Sequence, residues 1–149
     1  MPAPSNPIVL YDGVCGLCNR LVRFILRRDV DDQFRFASLQ SPLAAEILER
    51  HGIVCDLNTV YVVLDYQQPA EQLLPRSTAV LFVLKKLRHP WPLWGNVGYL
   101  LPRPLRDVIY NRIARNRYRI WGKYDSCPLP DAKHRHKFLD VQPEYRKPN

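Results

Sequence analysis

Two cysteines separated by two residues lie near the N-terminus, in the run Asp12-Gly-Val-Cys15-Gly-Leu-Cys18. In a chain with few cysteines, such a pair serves dithiol–disulfide exchange or holds a metal ion. The thiolate is the species that attacks a disulfide, so whichever surroundings lower a thiol's pKa decide which cysteine reacts. Asp12, three residues before Cys15, is a further candidate, because a carboxylate can accept a proton or close a turn.

The cysteine pair lies between a predicted buried strand, Ile8-Val-Leu-Tyr11, and a predicted helix. The apolar face of that helix consists of Leu17, Leu21, Val22 and Ile25. Unpartnered N–H groups at a helix N-terminus favour negative charge, so Cys15 is predicted to be the attacking thiolate. Cys18 falls one turn deeper, and we expect it to be less exposed and to resolve the mixed disulfide. Gly16 is expected to keep the approach to Cys15 open.

Two interpretations of Asp12 stay open at this point. As a functional group it would accept the proton of a cysteine thiol, most plausibly that of Cys18 during resolution. As a structural group it would be a turn or cap residue, since Asp-Gly favours turns. A carboxylate in contact with Cys15 would raise the pKa of that thiol, so we expect Asp12 to lie away from it.

Zinc binding is the main alternative for the cysteine pair, and two plain core thiols are the other. A structural zinc site needs two more cysteine or histidine ligands, usually in a second cluster. The other cysteines, Cys55 and Cys127, are isolated, and His134 and His136 lie in a polar C-terminal segment. We therefore predict no bound metal and no tightly held cofactor.

The rest of the chain predicts alternating strands and helices. Strands are expected at residues 34–37, 59–64 and 72–74, from their aromatic and β-branched content. Helices are expected from Ser41-Pro42 to His51-Gly52, from Thr78 to Leu87 with Ser77 as N-cap, and from Pro104 to Trp121. The order βαβαββα through residue 87 predicts an α/β sheet with helices on both faces.

The predicted organisation is a core over residues 8–88, a helical extension over 89–127 that packs on the core, and a polar tail over 128–149. The tail is expected to be loosely held from Lys133 onward. The extension begins with a stretch rich in tryptophan and proline, for which no helix is predicted. The apolar side of its long helix is predicted to consist of Leu105, Val108, Ile109, Ile113 and Ile120.

Positive charge is concentrated in one segment of the chain. There are 22 basic and 14 acidic residues, a net charge of +8, and Arg103–Lys123 holds seven basic residues against one acid. A solvated arginine-rich face is the ordinary explanation. Nucleic-acid binding through phosphates by residues 103–123 is the rival explanation. We do not favour it, because the aromatic residues of this helix recur with its apolar positions.

Nothing in the sequence predicts export or membrane insertion. The longest apolar run, residues 79–84, is far shorter than the roughly 18 residues of a spanning helix. The segment Met1–Pro7 lacks the charged and apolar regions of a secretory signal. Four cysteines in 149 residues are too sparse for a disulfide-stapled secreted domain. We therefore predict a cytoplasmic protein whose thiols stay reduced.

The motifs resemble those of the DCC family of predicted thiol-disulfide oxidoreductases, which is named for an aspartate and two cysteines spaced as in Asp12-x-x-Cys15-x-x-Cys18. The similarity continues through Arg76-Ser77-Thr78-Ala79, the segment from Tyr110 to Gly122, and Cys127. The resemblance implies a thioredoxin-like fold and dithiol–disulfide chemistry. It also implies two partners: a disulfide substrate, protein or glutathione-like, and an electron donor that the sequence does not identify.

In a thioredoxin-like fold the start of the third helix lies near the redox cysteines, so Arg76 and Ser77 are candidate substrate-binding residues. Arg76 would hold a substrate carboxylate or stabilise the Cys15 thiolate, against the alternative of a surface arginine. Helix capping is the favoured role of Ser77. Thioredoxins place a cis-proline before the third strand, whereas this chain has Asn58-Thr59-Val60-Tyr61, so the docking edge is expected to differ. A non-catalytic thioredoxin-like binding module is the alternative function.

Overall fold

The computed structural model describes residues 6–54, 59–88, 90–123 and 132–139. Its one sheet consists of the strands β1 (Ile8–Tyr11), β2 (Arg35–Ser38), β3 (Tyr61–Leu64) and β4 (Gln72–Pro75). The strand order is β2-β1-β3-β4. β1 runs parallel to β2 and antiparallel to β3, and β3 runs antiparallel to β4. The first residue of the site, Asp12, directly follows the central strand β1.

The helices are α1 (Gly16–Arg28), α2 (Pro42–Arg50), α3 (Arg76–Lys86), α4 (Trp91–Tyr99) and α5 (Arg103–Trp121), followed by a 3-10 helix at Ala132–Lys137. The order through α3 is βαβαββα, and the sheet topology is that of a thioredoxin-like domain. The predicted fold class is therefore confirmed, including the long helix of the C-terminal extension.

Helices cover both faces of the sheet because the residues of β1 alternate in direction. Val9 and Tyr11 pack against α1 and α3, in a cluster that includes Cys15 and Cys18. Ile8 and Leu10 face the other way, against α2. The cysteine motif thus begins at the end of the most buried strand and continues into a helix that lies on one face of the core.

The starts of α2 and α3 show one confirmed and one wrong prediction. Ser41 is the N-cap of α2, where its hydroxyl oxygen accepts a hydrogen bond from the Ala44 N–H at 3.2 Å. Ser77 is not the N-cap of α3, which begins at Arg76 after Pro75 and has no side-chain cap. The Ser77 hydroxyl instead donates to Asp107 of α5 at 2.6 Å, a tertiary contact that the local sequence does not reveal.

Helix α4 occupies the stretch for which no helix was predicted. Its proline lies in the first turn, where the missing N–H costs nothing. Gly95 permits close packing on α3, because a Cβ there would lie 3.2 Å from the Leu81 carbonyl oxygen. None of the helices in the described residues is long and apolar enough to span a membrane.

The predicted apolar side of α5 is wrong, although the helix does pack on α1 and α3. The five aliphatic residues expected to face the core are between 43 % and 63 % exposed. The buried residues of α5 are Ala114 and Arg117. The polar surroundings of the cysteine motif, described below, explain why an arginine takes an inward position.

Part of the predicted loose tail is fixed to the core. Phe138 is buried and stacks on Phe36 with ring centroids 5.2 Å apart. The neighbouring Lys137 is also buried, and its Nζ lies 3.3 Å from Asp29 Oδ2. Aromatic burial and a buried ion pair therefore hold this segment, against the expectation from its polar composition.

Candidate redox site

Cys15 lies at the N-terminus of α1, as predicted, and is its N-cap residue. Its sulfur accepts a hydrogen bond from the Cys18 N–H at 3.5 Å. The Asn19 side-chain amide fixes this turn by donating to the carbonyl oxygens of Gly13 and Cys15, both at 2.9 Å. Both cysteines are free thiols. The first turn of α1 therefore places both thiols together and directs N–H groups at Cys15.

The two thiols have opposite acidities. A hydrogen bond from the Cys18 thiol, helped by the N–H groups of Cys18 and Leu17, lowers the pKa of Cys15 to about 6 despite burial. The charge of Arg117 acts in the same direction. The same thiol–thiol hydrogen bond and burial raise the pKa of Cys18. At neutral pH the arrangement favours a thiolate at Cys15 and a protonated thiol at Cys18.

Neither thiol is open to solvent, and the expected order of exposure is reversed. Cys15 is 0 % exposed and Cys18 is 7 % exposed. The chain that follows α5 lies against the motif, because Lys123 pairs with Cys15 in an isolated antiparallel bridge. Residues 121–123 are called the cover segment from here on.

Gly16 holds the cover segment in place and does not open the approach to Cys15 as expected. Its N–H donates to the Gly122 carbonyl oxygen at 3.1 Å. A Cβ on Gly16 would lie 2.1 Å from the Trp121 carbonyl oxygen, far inside the contact distance. Glycine is therefore required at this position for the cover segment to lie against the start of α1.

Asp12 is fully buried and its carboxylate accepts hydrogen bonds from four groups. The donors are the Val14 N–H (3.2 Å), Gln40 Nε2 (2.7 Å), Arg117 Nη2 (3.1 Å) and the Tyr118 hydroxyl. Burial alone would raise its pKa, but these hydrogen bonds outweigh burial and lower it. The bond from Val14 is that of a turn residue, and the bond from Arg117 makes Asp12 the anion of a buried ion pair.

Arg117 and Tyr118 belong to the site, although the sequence predicts a solvated arginine and a core-packed aromatic residue at these positions. The Arg117 side chain is 4 % exposed and donates to Asp12 and to the Ala114 carbonyl oxygen. The sequence contains one signal for Arg117. Asp12 follows a buried strand, and a buried carboxylate requires a cation, which the arginines of α5 can supply. Which arginine turns inward depends on the docking of α5, which local patterns do not predict.

An apolar cavity of about 240 Å³ opens beside Cys18, between α1, α3 and α5. Cys18 lines it and Cys15 does not. Its aliphatic lining consists of Leu17, Leu21, Val60, Val80, Ile113 and Ala114. Tyr110 and Arg117 complete the wall. Sequence patterns do not predict this cavity, because it depends on the tertiary arrangement of three helices.

Arg76 is not a lining residue of this cavity, and Ser77 is turned toward α5. The Arg76 N–H donates to the carbonyl oxygen of Val60 at 2.9 Å. The charge of the Arg76 side chain lowers the pKa of Tyr110, against the larger upward effect of burial. The Tyr110 hydroxyl in turn accepts a hydrogen bond from the Val60 N–H at 2.8 Å. The edge before β3, where thioredoxins place a cis-proline and this chain has none, is therefore bound by α5 itself.

No group of three or more histidine, cysteine, aspartate or glutamate side chains that could hold a metal occurs among the described residues. Cys55 and Cys127 lie outside those residues. His136 lies 3.5 Å from Asp32 on the surface, remote in sequence from the cysteine pair. The prediction about bound zinc thus stays a prediction, for elemental analysis of the reduced protein to test.

The sequence of this chain is similar to those of known proteins. A family model described as DCC1-like thiol-disulfide oxidoreductase matches residues 9–123. The "Uncharacterized protein YuxK" of Bacillus subtilis (strain 168) is 38 % identical over 134 residues, 90 % of this chain and 94 % of the relative. A chloroplastic DCC family protein of Arabidopsis thaliana is 35 % identical over 125 residues, 84 % of this chain and 70 % of the relative. No solved structure gives a significant match.

Proposed function

The chain belongs to the DCC1-like thiol-disulfide oxidoreductase family, and from that premise we propose that Cys15 and Cys18 exchange a dithiol for a substrate disulfide. The observation that carries this proposal is the lowered pKa of Cys15, about 6, next to a Cys18 thiol whose pKa is raised. A thiolate and a protonated thiol on one helical turn are the two species that the exchange requires.

The reaction balances as two thiol–disulfide exchanges. The Cys15 thiolate attacks one sulfur of the substrate disulfide, which forms a mixed disulfide and releases the other sulfur as a thiolate. Cys18 then loses its proton and attacks the Cys15 sulfur, forming the Cys15–Cys18 disulfide and releasing the second substrate thiolate. The substrate gains two electrons and, in water, two protons. A dithiol donor in a reducing compartment such as the cytoplasm would return the enzyme to the reduced state.

The cover segment must move for the first step, because Cys15 has no exposed surface. One hydrogen bond from Gly16 and one isolated bridge hold it against the motif. Residues 121–123 end α5 and begin an irregular stretch, so local displacement would leave the sheet intact. We propose that the substrate takes the place of this backbone at Cys15.

Asp12 and Arg76 have supporting roles in the proposal. The four donors on the Asp12 carboxylate and its lowered pKa favour positioning over proton transfer. Asp12 would thus act by holding Arg117, whose charge lowers the pKa of Cys15. Arg76, whose N–H is bonded to the Val60 carbonyl oxygen, would hold a substrate carboxylate. The Ser77 hydroxyl is bound to Asp107 and would only orient the start of α3.

The decisive experiment traps the mixed disulfide. Reduced C18S protein, freed of reductant, is mixed with a disulfide-containing peptide, and the adduct is located by mass spectrometry. We expect an adduct on Cys15 of the C18S variant and none at position 18 of the C15S variant. An adduct on Cys18 but not Cys15 would reverse the roles. Failure of the unmodified dithiol to reduce any disulfide would overturn the activity.

One observation favours a second function, a thioredoxin-like binding module without catalysis. The thiol with the lowered pKa belongs to a fully buried residue whose backbone pairs with that of Lys123. The two functions are separated by alkylation of the native, reduced protein with iodoacetamide near pH 8. Labelling of Cys15 without denaturant supports catalysis, whereas labelling only in the unfolded chain supports the binding module.

A further inference from the structure

We propose that the cavity beside Cys18 binds an apolar group of the substrate, an aliphatic or phenyl group attached close to the disulfide bond. This inference rests on the proposed dithiol activity, and it adds the chemical class of disulfide that the activity selects. The shared chemistry fits an apolar side chain next to a protein disulfide and also a small organic disulfide.

The volume of the cavity sets the size of the group. An apolar cavity of about 150 Å³ in a protein is large enough to bind benzene. A cavity of about 240 Å³ therefore takes a phenyl ring with a short linker, or a branched aliphatic side chain. It is too small for a whole peptide, so only the group next to the reacting sulfur would enter.

The chemistry of the wall selects an apolar group. Six aliphatic side chains line the cavity. The polar groups at its wall already have partners within the protein: the Tyr110 hydroxyl binds the Val60 N–H, and Arg117 binds Asp12. A charged or amide group placed there would lose its water without gaining matched partners, which is costly. An apolar group would instead gain contacts over its whole surface.

The position of the cavity connects this group to the reaction. Cys18 lines the cavity, and its thiol is hydrogen-bonded to the Cys15 sulfur. A substrate sulfur joined to Cys15 could therefore keep its apolar substituent in the cavity throughout the mixed disulfide stage. Attack of Cys18 on Cys15 would then release that substituent as its thiolate. The cavity would thus orient the substrate for both exchanges.

The test compares two disulfides of nearly equal size, dipropyl disulfide and bis(2-hydroxyethyl) disulfide. Pre-reduced protein reacts with each in a single turnover, and each rate constant is divided by that of dithiothreitol with the same disulfide. We expect this ratio to be at least about tenfold higher for dipropyl disulfide, as hydrophobic pockets discriminate by that order. A matched pair of peptides, with Phe or Ser beside the disulfide-bonded cysteine, is compared in the same way. A preference for the Phe peptide would identify a protein disulfide as a substrate, whereas a preference seen only with dipropyl disulfide would identify a small organic disulfide.

A matched pair of variants ties the preference to the cavity. Ile113 lines it and is 43 % exposed, while Ile109 on the same helix is 47 % exposed and does not line it. We expect I113N to lower the preference for the apolar disulfide several-fold and I109N to leave it unchanged. V80F, which fills the cavity, should act like I113N. Equal ratios for both disulfides in the unmodified protein would overturn this inference alone, whereas no exchange with either would overturn the proposed activity.

Discussion

Helices α1 and α5 both carry arginines and aliphatic residues, yet they meet the core in opposite ways. α1 buries Val22 and Ile25 and leaves Arg20, Arg23 and Arg27 exposed. α5 buries Ala114 and Arg117 and leaves its aliphatic residues substantially exposed. The difference lies in what each helix covers. α1 lies on an apolar sheet face, whereas α5 lies over the polar end of the cysteine motif, where the buried Asp12 carboxylate requires a cation.

The comparison shows where hydrophobic periodicity is a reliable guide. It predicts the inward face of a helix whose partner surface is apolar, as for α1. It fails for α5 because one buried ion pair and the hydroxyls of Tyr110 and Tyr118 fix the rotation of that helix. Four measurements, in order of decreasing expected effect, test this difference between the two helices.

The largest expected effect is on the ion pair that orients α5. Arg117→Met removes the cation from a buried carboxylate, and loss of one partner of such a pair costs about 3–5 kcal/mol of unfolding free energy. The double variant D12N/R117M should recover part of that loss, because the uncompensated charge is gone. Urea unfolding of both variants measures this. Arg115→Met, at an exposed position of the same helix, is the control and should change stability little.

The second effect contrasts the aliphatic residues of the two helices. Ile25 in α1 is 0 % exposed and Ile120 in α5 is 63 % exposed. Ile25→Ala should lower the unfolding free energy by about 2–5 kcal/mol, since it deletes buried methylene groups and leaves a cavity. Ile120→Ala should change it by less than about 0.5 kcal/mol. A loss at Ile120 as large as that at Ile25 would show that the outer face of α5 is covered.

The third effect concerns the contact between the two helices at the cover segment. Gly16→Ala forces the Trp121 carbonyl away from the start of α1, and overpacking of this kind costs about 1–3 kcal/mol. The displaced segment should also expose Cys15, so iodoacetamide should label it severalfold faster. Arg20→Ala, at an exposed position of α1, is the control and should change stability and labelling little. Unchanged labelling in G16A would show that residues 121–123 do not limit access to Cys15.

The sequence predicted the parts of the site that local rules govern. Strand β1, helix α1 and the N-cap position of Cys15 follow from a short apolar run, helical spacing and the resemblance of the motif. The full burial of Cys15, the inward position of Arg117 and the cavity beside Cys18 could not be predicted, because all three depend on where α5 docks, more than 80 residues later in the chain. The Ser77 N-cap failed for the same reason, since Asp107 of α5 takes its hydroxyl.

The smallest expected effect is on the pKa of Cys15, and it shows how much each of the two helices lowers that pKa. Its pKa of about 6 is set mainly by the Cys18 thiol and N–H groups of α1, and only to a minor extent by Arg117 of α5. Below this pKa the protonated thiol is unreactive, so the alkylation rate should rise with pH through about 6 and then level off. In C18A the midpoint should move upward by at least about one pH unit, because the largest stabilising hydrogen bond is lost. In R117K, which keeps a positive charge, it should move much less. A larger upward shift in R117K than in C18A would show that α5, and not α1, controls the acidity of Cys15.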